Sequence, residues 1–506
     1  MKKTAAIIIG LLVVVILGTF ITLTFFPSFY INEAKIAAFQ DKVNNKYKGI
    51  NLNLNPETSK ISYNSGLFNK THYKIKLYNA SVTLNSDDLK NILPENYSSK
   101  IGNIFDTKNI AVNLTEVTFI YGPFDKYLAV KSSKSLQLKP AEATDNITKN
   151  YTLNIGSIST SNVVLNSLLK NNSDDLKEIF KKLFLDNLKY SIKLSEVDAF
   201  ANAKEADYKL SLKKIQFNQE TTEKIAALLQ NSFKGEEIEE TISTGKEKQV
   251  SSIMIENGTL ISKTDNSSYS LNLGKLSFSS KFIPSTQKDY MLYEIALSME
   301  AASLKSPHNA SALLTLLDGL ESFNGKFAID QISPELARRY IEMIEYTKTH
   351  RNINAGNLQE LAGYLQALRA ALNRAKPKIS LNINPLKHPS LEANVDGALA
   401  FTEKSLIPLG KIDVRTTDLM KLEPLLIEKG VITKEKADRI FAMAAKYFKP
   451  GKDGFSYANV EIKEQMPYIF INGMPIITGG PMQQGAIPQQ PQGIPQQPQI
   501  LPQQQQ

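Results

Sequence analysis

The chain has 506 residues, enough for about three domains or two large ones, and its 42% hydrophobic and 22% charged content is that of a folded globular protein. With 59 Lys and Arg against 50 Asp and Glu the formal charge is +9. No Cys is present, which excludes disulfides, thiolate zinc sites, iron–sulfur clusters and Cys nucleophiles, and four His leave little for a multi-His metal site.

At the N-terminus, Ala5, Ile9, Leu12, Val15, Leu17, Phe20, Leu23 and Phe26 belong to one uncharged apolar run from Ala5 to Phe26. At 1.5 Å per residue this run extends about 33 Å, enough to cross a hydrocarbon core of about 30 Å. Lys2 and Lys3 precede it and Glu33 is the first charge after it, so the positive-inside rule leaves the N-terminus in the cytoplasm and exports the rest. A cleaved signal peptide is the competing reading. The length of the run and an exit without a small-x-small site favour an uncleaved anchor in a bacterial inner membrane, with the main body periplasmic. Residues 1–31 are therefore expected to form a short cytoplasmic start and a transmembrane helix.

Between residues 48 and 160 apolar residues fall at every second position, as in Ile50, Leu52, Leu54, then Tyr73, Ile75, Leu77, and Ile110, Val112, Leu114. Period two predicts half-buried strands, which usually pair antiparallel. The pattern returns at 190–194, 208–217, 259–282, 290–299, 378–383, 391–401 and 455–471. Helical periodicity interrupts it over 165–188 and 221–233. Ser333-Pro334-Glu335 predicts a capped helix start, and a stripe of Leu from Leu358 to Leu372 predicts a second helix ended by Pro377. A helical hairpin is expected from Leu419, stopped by Gly430 and reopened by a Thr433 cap. The fold class expected is α+β: one N-terminal transmembrane helix and then a large exported body of antiparallel sheets with packed helices. Its divisions are a first strand-rich domain over 32–240, a second with helical segments over 241–478, and a disordered Pro/Gln-rich tail over 479–506.

The sequence carries no GxGxxG, no phosphate loop, no HExxH and no GxSxG. Ser285-Thr-Gln-Lys288 and Ser243-Thr-Gly-Lys246 match the short Ser-x-x-Lys pattern of penicillin-recognising enzymes, but no Lys-Thr-Gly follows, so both read as chance matches. His308 and His388 stand beside Pro in turns, His72 opens a strand and His350 ends a helix. No catalytic, cofactor-binding or metal-ligating residue is assigned. Lys is scattered among Glu and Asp instead of forming a stripe, so no nucleic-acid partner is expected.

Three short patterns lie in order along the chain. Ser62-Tyr-Asn-Ser-Gly66-Leu67-Phe68 precedes a strand, Tyr121-Gly122-Pro123-Phe124 follows one, and Phe470-Ile-Asn472-Gly473-Met-Pro475 closes the folded part. Together they resemble the YdgA-like family of bacterial envelope proteins of unknown function, with Tyr121 standing where that family has a His. The resemblance implies topology and an envelope location and carries no activity. Physically Gly66, Gly122 and Gly473 permit positive φ and Pro123 restricts its neighbour.

The function expected is non-enzymatic binding of a lipid or other amphipathic envelope component on an apolar sheet face, with Leu114 as a position to test. The alternative is a structural or assembly scaffold acting through an envelope protein or a homo-oligomer, and an envelope hydrolase is the weaker third reading. The lipid bilayer itself is the partner expected for the N-terminal segment.

Overall fold

The computed structural model describes residues 32–46, 50–64, 72–85, 109–122, 127–132, 136–140, 150–164, 182–183, 185–203, 206–230, 235–264, 268–305, 317–350, 355–402, 407–417, 419–428, 430–464 and 469–475. Of these, 57% are in strands and 29% in helices. Instead of several sheets with packed helices, the described residues form one antiparallel sheet of 21 strands. The expected α+β class is thus corrected to a mainly β architecture. The expected transmembrane segment lies outside the described residues, and no described helix is long and apolar enough to cross a membrane.

The reason for a single sheet is the connectivity. β1 (Ile50–Asn53) and β2 (Lys60–Asn64) both pair with β3 (His72–Asn85), which pairs with β4 (Asn109–Gly122). β5 (Tyr127–Ser132) and β6 (Leu136–Pro140) join β4 to β7 (Asn150–Thr160), while β8 (Val163–Val164) extends β5. From there the chain is a meander in which each strand pairs with the one before it. It runs through β9 (Lys189–Ala203), β10 (Ala206–Thr221), β11 (Gln249–Lys263), β12 (Ser268–Pro284), β13 (Met291–Lys305), β14 (Leu320–Ile332), β15 (Lys378–His388), β16 (Leu391–Ala400) and β17 (Leu409–Thr416). The far edge is β19 (Ser456–Ile462) beside β17, with β18 (Lys449–Pro450) and β20 (Ile469–Ile471) on β19 and β21 (Met474–Pro475) on β20. Because successive strands are neighbours, period-two segments far apart in sequence all enter one ladder.

One helix precedes the strands and the others are inserted between them. α1 (Glu33–Lys46) guards the first edge: Asn44 accepts from the Leu52 N–H at 2.7 Å and donates to its carbonyl at 3.0 Å, and Gln40 accepts from the Leu54 N–H. Side chains thereby occupy backbone groups of β1 that would otherwise invite another strand. α2 (Glu223–Gln230) and α3 (Gly235–Ser243) link β10 to β11, and α4 (Pro334–Thr349) and α5 (Ala355–Ala375) link β14 to β15. The Ser333 side chain accepts from the Leu336 N–H with Pro334 in the first turn, as expected from sequence. α6 (Leu422–Glu428) and α7 (Lys434–Tyr447) form the later hairpin, with Gly430 at φ 68 between them and Thr433 capping α7.

A row of irregular positions crosses the sheet. Glu196 in β9, Asn257 in β11 and Ala301 in β13 have left-handed φ of 52, 48 and 51, and the register sets them opposite Gly156, Lys213 and Gly274. At this row every strand skips one residue in its alternation. β11 sets Ile253 and Ile255 on the same side as Leu260, and β12 does the same with Leu271, Leu273 and then Leu276. The skip keeps the apolar side chains on one face along strands too long for an unbroken alternation in this sequence.

The closed core lies in the first half. Apolar residues of α1 and of β1 to β10, among them Ile36, Leu52, Leu77, Leu84, Ile110 and Ile155, form one buried cluster.

Candidate functional site

Beyond β10 the same apolar face continues but the core does not. Phe217 of β10, Ile253 of β11, Phe278 of β12, Leu297 of β13, Gly325 of β14 and Ile383 of β15 are direct partners in one cross-strand row. The row goes on through Val395, Val414 and Ala458 on β16, β17 and β19. One step along the strands, Ile215, Ile255, Leu276, Met299, Phe323 and Leu386 form a second row on the same face. Nine strands at a spacing of about 4.8 Å carry the first row over about 38 Å.

Helices cover this band at its margins. Ile238 and Ile242 of α3, Leu228 of α2 and Ala337 and Ile341 of α4 gather around Phe282, Met291 and Ile332 at one end of β12 to β14. Leu422, Ala437 and Phe441 of the α6–α7 hairpin gather around Leu386, Leu391 and Ala393 at the other. Between the two clusters Leu276, Leu297, Met299 and Phe323 are half-buried and Phe278 is 38% exposed. The contrast with the first half is direct: there the alternation is between buried and half-exposed residues, whereas β11 and β12 are half-buried along most of their length and β15 alternates between half-buried and exposed.

The opposite face is held by charge. Lys214 and Glu256 pair at 2.8 Å, Lys275 and Glu300 at 3.8 Å, and Glu294 is bracketed by Lys281 at 2.8 Å and Lys326 at 2.5 Å. Burial pushes the Glu294 carboxyl up, but hydrogen bonds from the two ammonium groups outweigh this and hold it below the usual carboxylate range. Such cross-strand pairs fix which face is wet and leave the apolar band no alternative orientation.

The residues singled out from sequence are placed as follows. Ala5 to Phe26, Gly66, Leu67, Phe68, Pro123 and Phe124 lie outside the described residues. Gly122 is buried at the end of β4, where it pairs with Tyr127. Tyr121 is buried too, and burial with Tyr73 beside it pushes its phenol up, as suits a core side chain. Asn472 and Gly473 have φ of 49 and 79 and join β20 to β21 in a turn with both central residues left-handed. Leu114 packs against the closed core and is not part of the half-exposed band.

The Ser-x-x-Lys matches hold no nucleophile arrangement: Ser285 donates to Asp330 at 2.6 Å and Ser243 to the Glu240 carbonyl at 2.7 Å. His388 is buried, with Nε2 2.8 Å from the Asp318 carbonyl oxygen and Nδ1 accepting from the Ser390 N–H, while His350 stacks on Tyr346 at the end of α4. Among the described residues no group of three metal-ligating side chains occurs. Compared with known proteins, the chain matches no family model, no curated protein and no solved structure.

Proposed function

We propose that this is a non-enzymatic envelope protein that holds the apolar chains of a lipid against the face formed by β10 to β17. One observation carries the reading: in the middle of the cross-strand rows Leu276, Leu297, Met299 and Phe323 stay half-buried and Phe278 exposed, while the opposite face is closed by ion pairs. An apolar strip of this length has room for extended acyl chains, and contiguous exposed apolar surface marks an interaction site. The uncharged start of the chain supports export, and the three turn motifs that resemble the YdgA-like family support a periplasmic location.

A scaffold role is the second reading. It is favoured by Ile440 and Met443 on the outer side of α7, which are 49% and 59% exposed one turn apart. Uptake of a phospholipid with a fluorescent acyl chain by the full protein separates the two. The lipid reading expects saturable uptake that Phe278→Asp removes and that Met443→Asp leaves intact. Uptake unchanged in a folded Phe278→Asp protein would reject it.

A further inference from the structure

The charged face carries a second feature at the far end of the sheet, on the strands whose other face carries Ile383, Val395, Val414 and Ala458. Asn382, Asp396, Asp413 and Asn459 are successive cross-strand partners on β15, β16, β17 and β19. Two residues along, and so on the same face, Asn394, Arg415 and Tyr457 form a parallel row. An open cavity of about 430 Å³ lies between the rows, with Asn472 also in its lining. The residues between the rows point to the apolar face, so the floor is backbone already committed to the ladder and any ligand must be held by the two walls of side chains.

The walls define the chemistry. Two carboxylates, those of Asp396 and Asp413, line the cavity with one guanidinium, that of Arg415, which is already paired with Asp453, and this balance disfavours an anion such as phosphate. Asp396 and Asp413 face each other directly, and among the described residues neither is in an ion pair, an arrangement that costs stability in a sheet. Arg415 is occupied: it lies 3.7 Å over the Phe455 ring and bonds Asp453 at 3.1 Å, and the Tyr457 hydroxyl also donates to Asp453. In the same wall Asn394 Oδ1 and Arg415 Nε have no hydrogen-bond partner. Carboxamides that donate and accept, carboxylates that accept, and a part-exposed tyrosine ring are the groups that pair with vicinal hydroxyls and with the apolar edge of a sugar. We infer that this trough binds a neutral glycan chain laid across the strands.

Calorimetric titration of the full protein with hexamers of N-acetylglucosamine and of glucose tests the inference. It expects saturable binding of one of the two, weakened about tenfold or more by Asp413→Ala and by Tyr457→Ala. Lys275→Ala, on the same face but on β12, should bind as the parent does. If Asp413→Ala fails to fold, Asp396→Asn, which keeps the side-chain shape, replaces it with the same expectation. No saturable heat from either hexamer, or affinity unchanged in the folded variants, overturns the assignment. So does calcium binding that these variants abolish while neither hexamer binds.

Discussion

Gly274 in β12 lies so close to Ala301 in β13 that a Cβ on the glycine would stand 2.9 Å from the Ala301 Cβ and 3.1 Å from the Glu300 carbonyl oxygen. Both residues sit in the row where the strands skip a residue, and Ala301 is left-handed there. Gly274→Ala should therefore lower stability by about 1–3 kcal/mol, since the contact is with backbone and a short side chain that cannot turn away. The shift of the denaturant midpoint measures this. An unchanged midpoint would mean that the row is more compliant than its geometry states.

Glu294 makes the stability of the sheet pH-dependent. Its folded carboxyl titrates below its ordinary value of 4.5, so the unfolded chain takes the proton first. The stabilisation is complete above that value and is lost as the pH falls through the lower folded one. Glu294→Gln should cost about 1–2 kcal/mol at neutral pH, because it weakens two charge-assisted hydrogen bonds. It should also flatten the stability curve below pH 4.5. Thermal melts of both proteins across that range check the sign.

Asn472 ties the last strands together. Its Oδ1 accepts from the Asn459 N–H at 2.8 Å, its own N–H donates to the Asn459 carbonyl at 2.8 Å, and its left-handed φ suits Asn far better than a β-branched residue. Asn472→Val should speed exchange of the Asn459 amide by about tenfold or more while leaving the amides of β10 to β13 unaffected. Uniform acceleration throughout the sheet would contradict a local role.

Ser333→Ala removes the cap of α4 and should cost about 1 kcal/mol. The cap lies beside the α3–α4 cluster at the margin of the apolar band, so lipid uptake should persist. Urea unfolding gives the first quantity and the fluorescent-lipid assay the second.

These elements differ in how plainly the sequence announces them. The caps at Ser333 and Thr433, the stop at Gly430 and the Asn472-Gly473 turn are local devices, and the structure has them where the residues predict. The strands 378–383 and 391–401 are also legible, since Ile379, Leu381 and Ile383 alternate without interruption. β14 is missed because Gly325 interrupts its apolar side and the spacing from Leu320 to Phe323 breaks period two. β17 is missed because Ile412 and Val414 alone carry its pattern. The stretch 259–282, where the alternation returns, is parts of two strands, β11 and β12, which the turn sets side by side with Leu260 opposite Leu271.

The site was less legible than the strands. An alternating strand shows that one face is apolar, and it is silent on what covers that face. Leu114 and Leu276 have the same sequence signature; Leu114 meets the closed core and Leu276 meets no buried cluster. The two are separated by long-range packing, because α1 and the short strands fold over the first half, while the later helices attach at strand ends. The polar trough had no signal at all, since its walls assemble from single Asn and Asp residues on four strands.

Native mass spectrometry of the full protein, purified from a bacterial envelope, tests the central claim most directly. The account predicts stoichiometric mass additions that lipid extraction identifies as phospholipid, absent from a folded Phe278→Asp protein. A clean mass for the parent protein with no lipid bound, above all as a dimer, would contradict it and turn attention to the exposed side of α7.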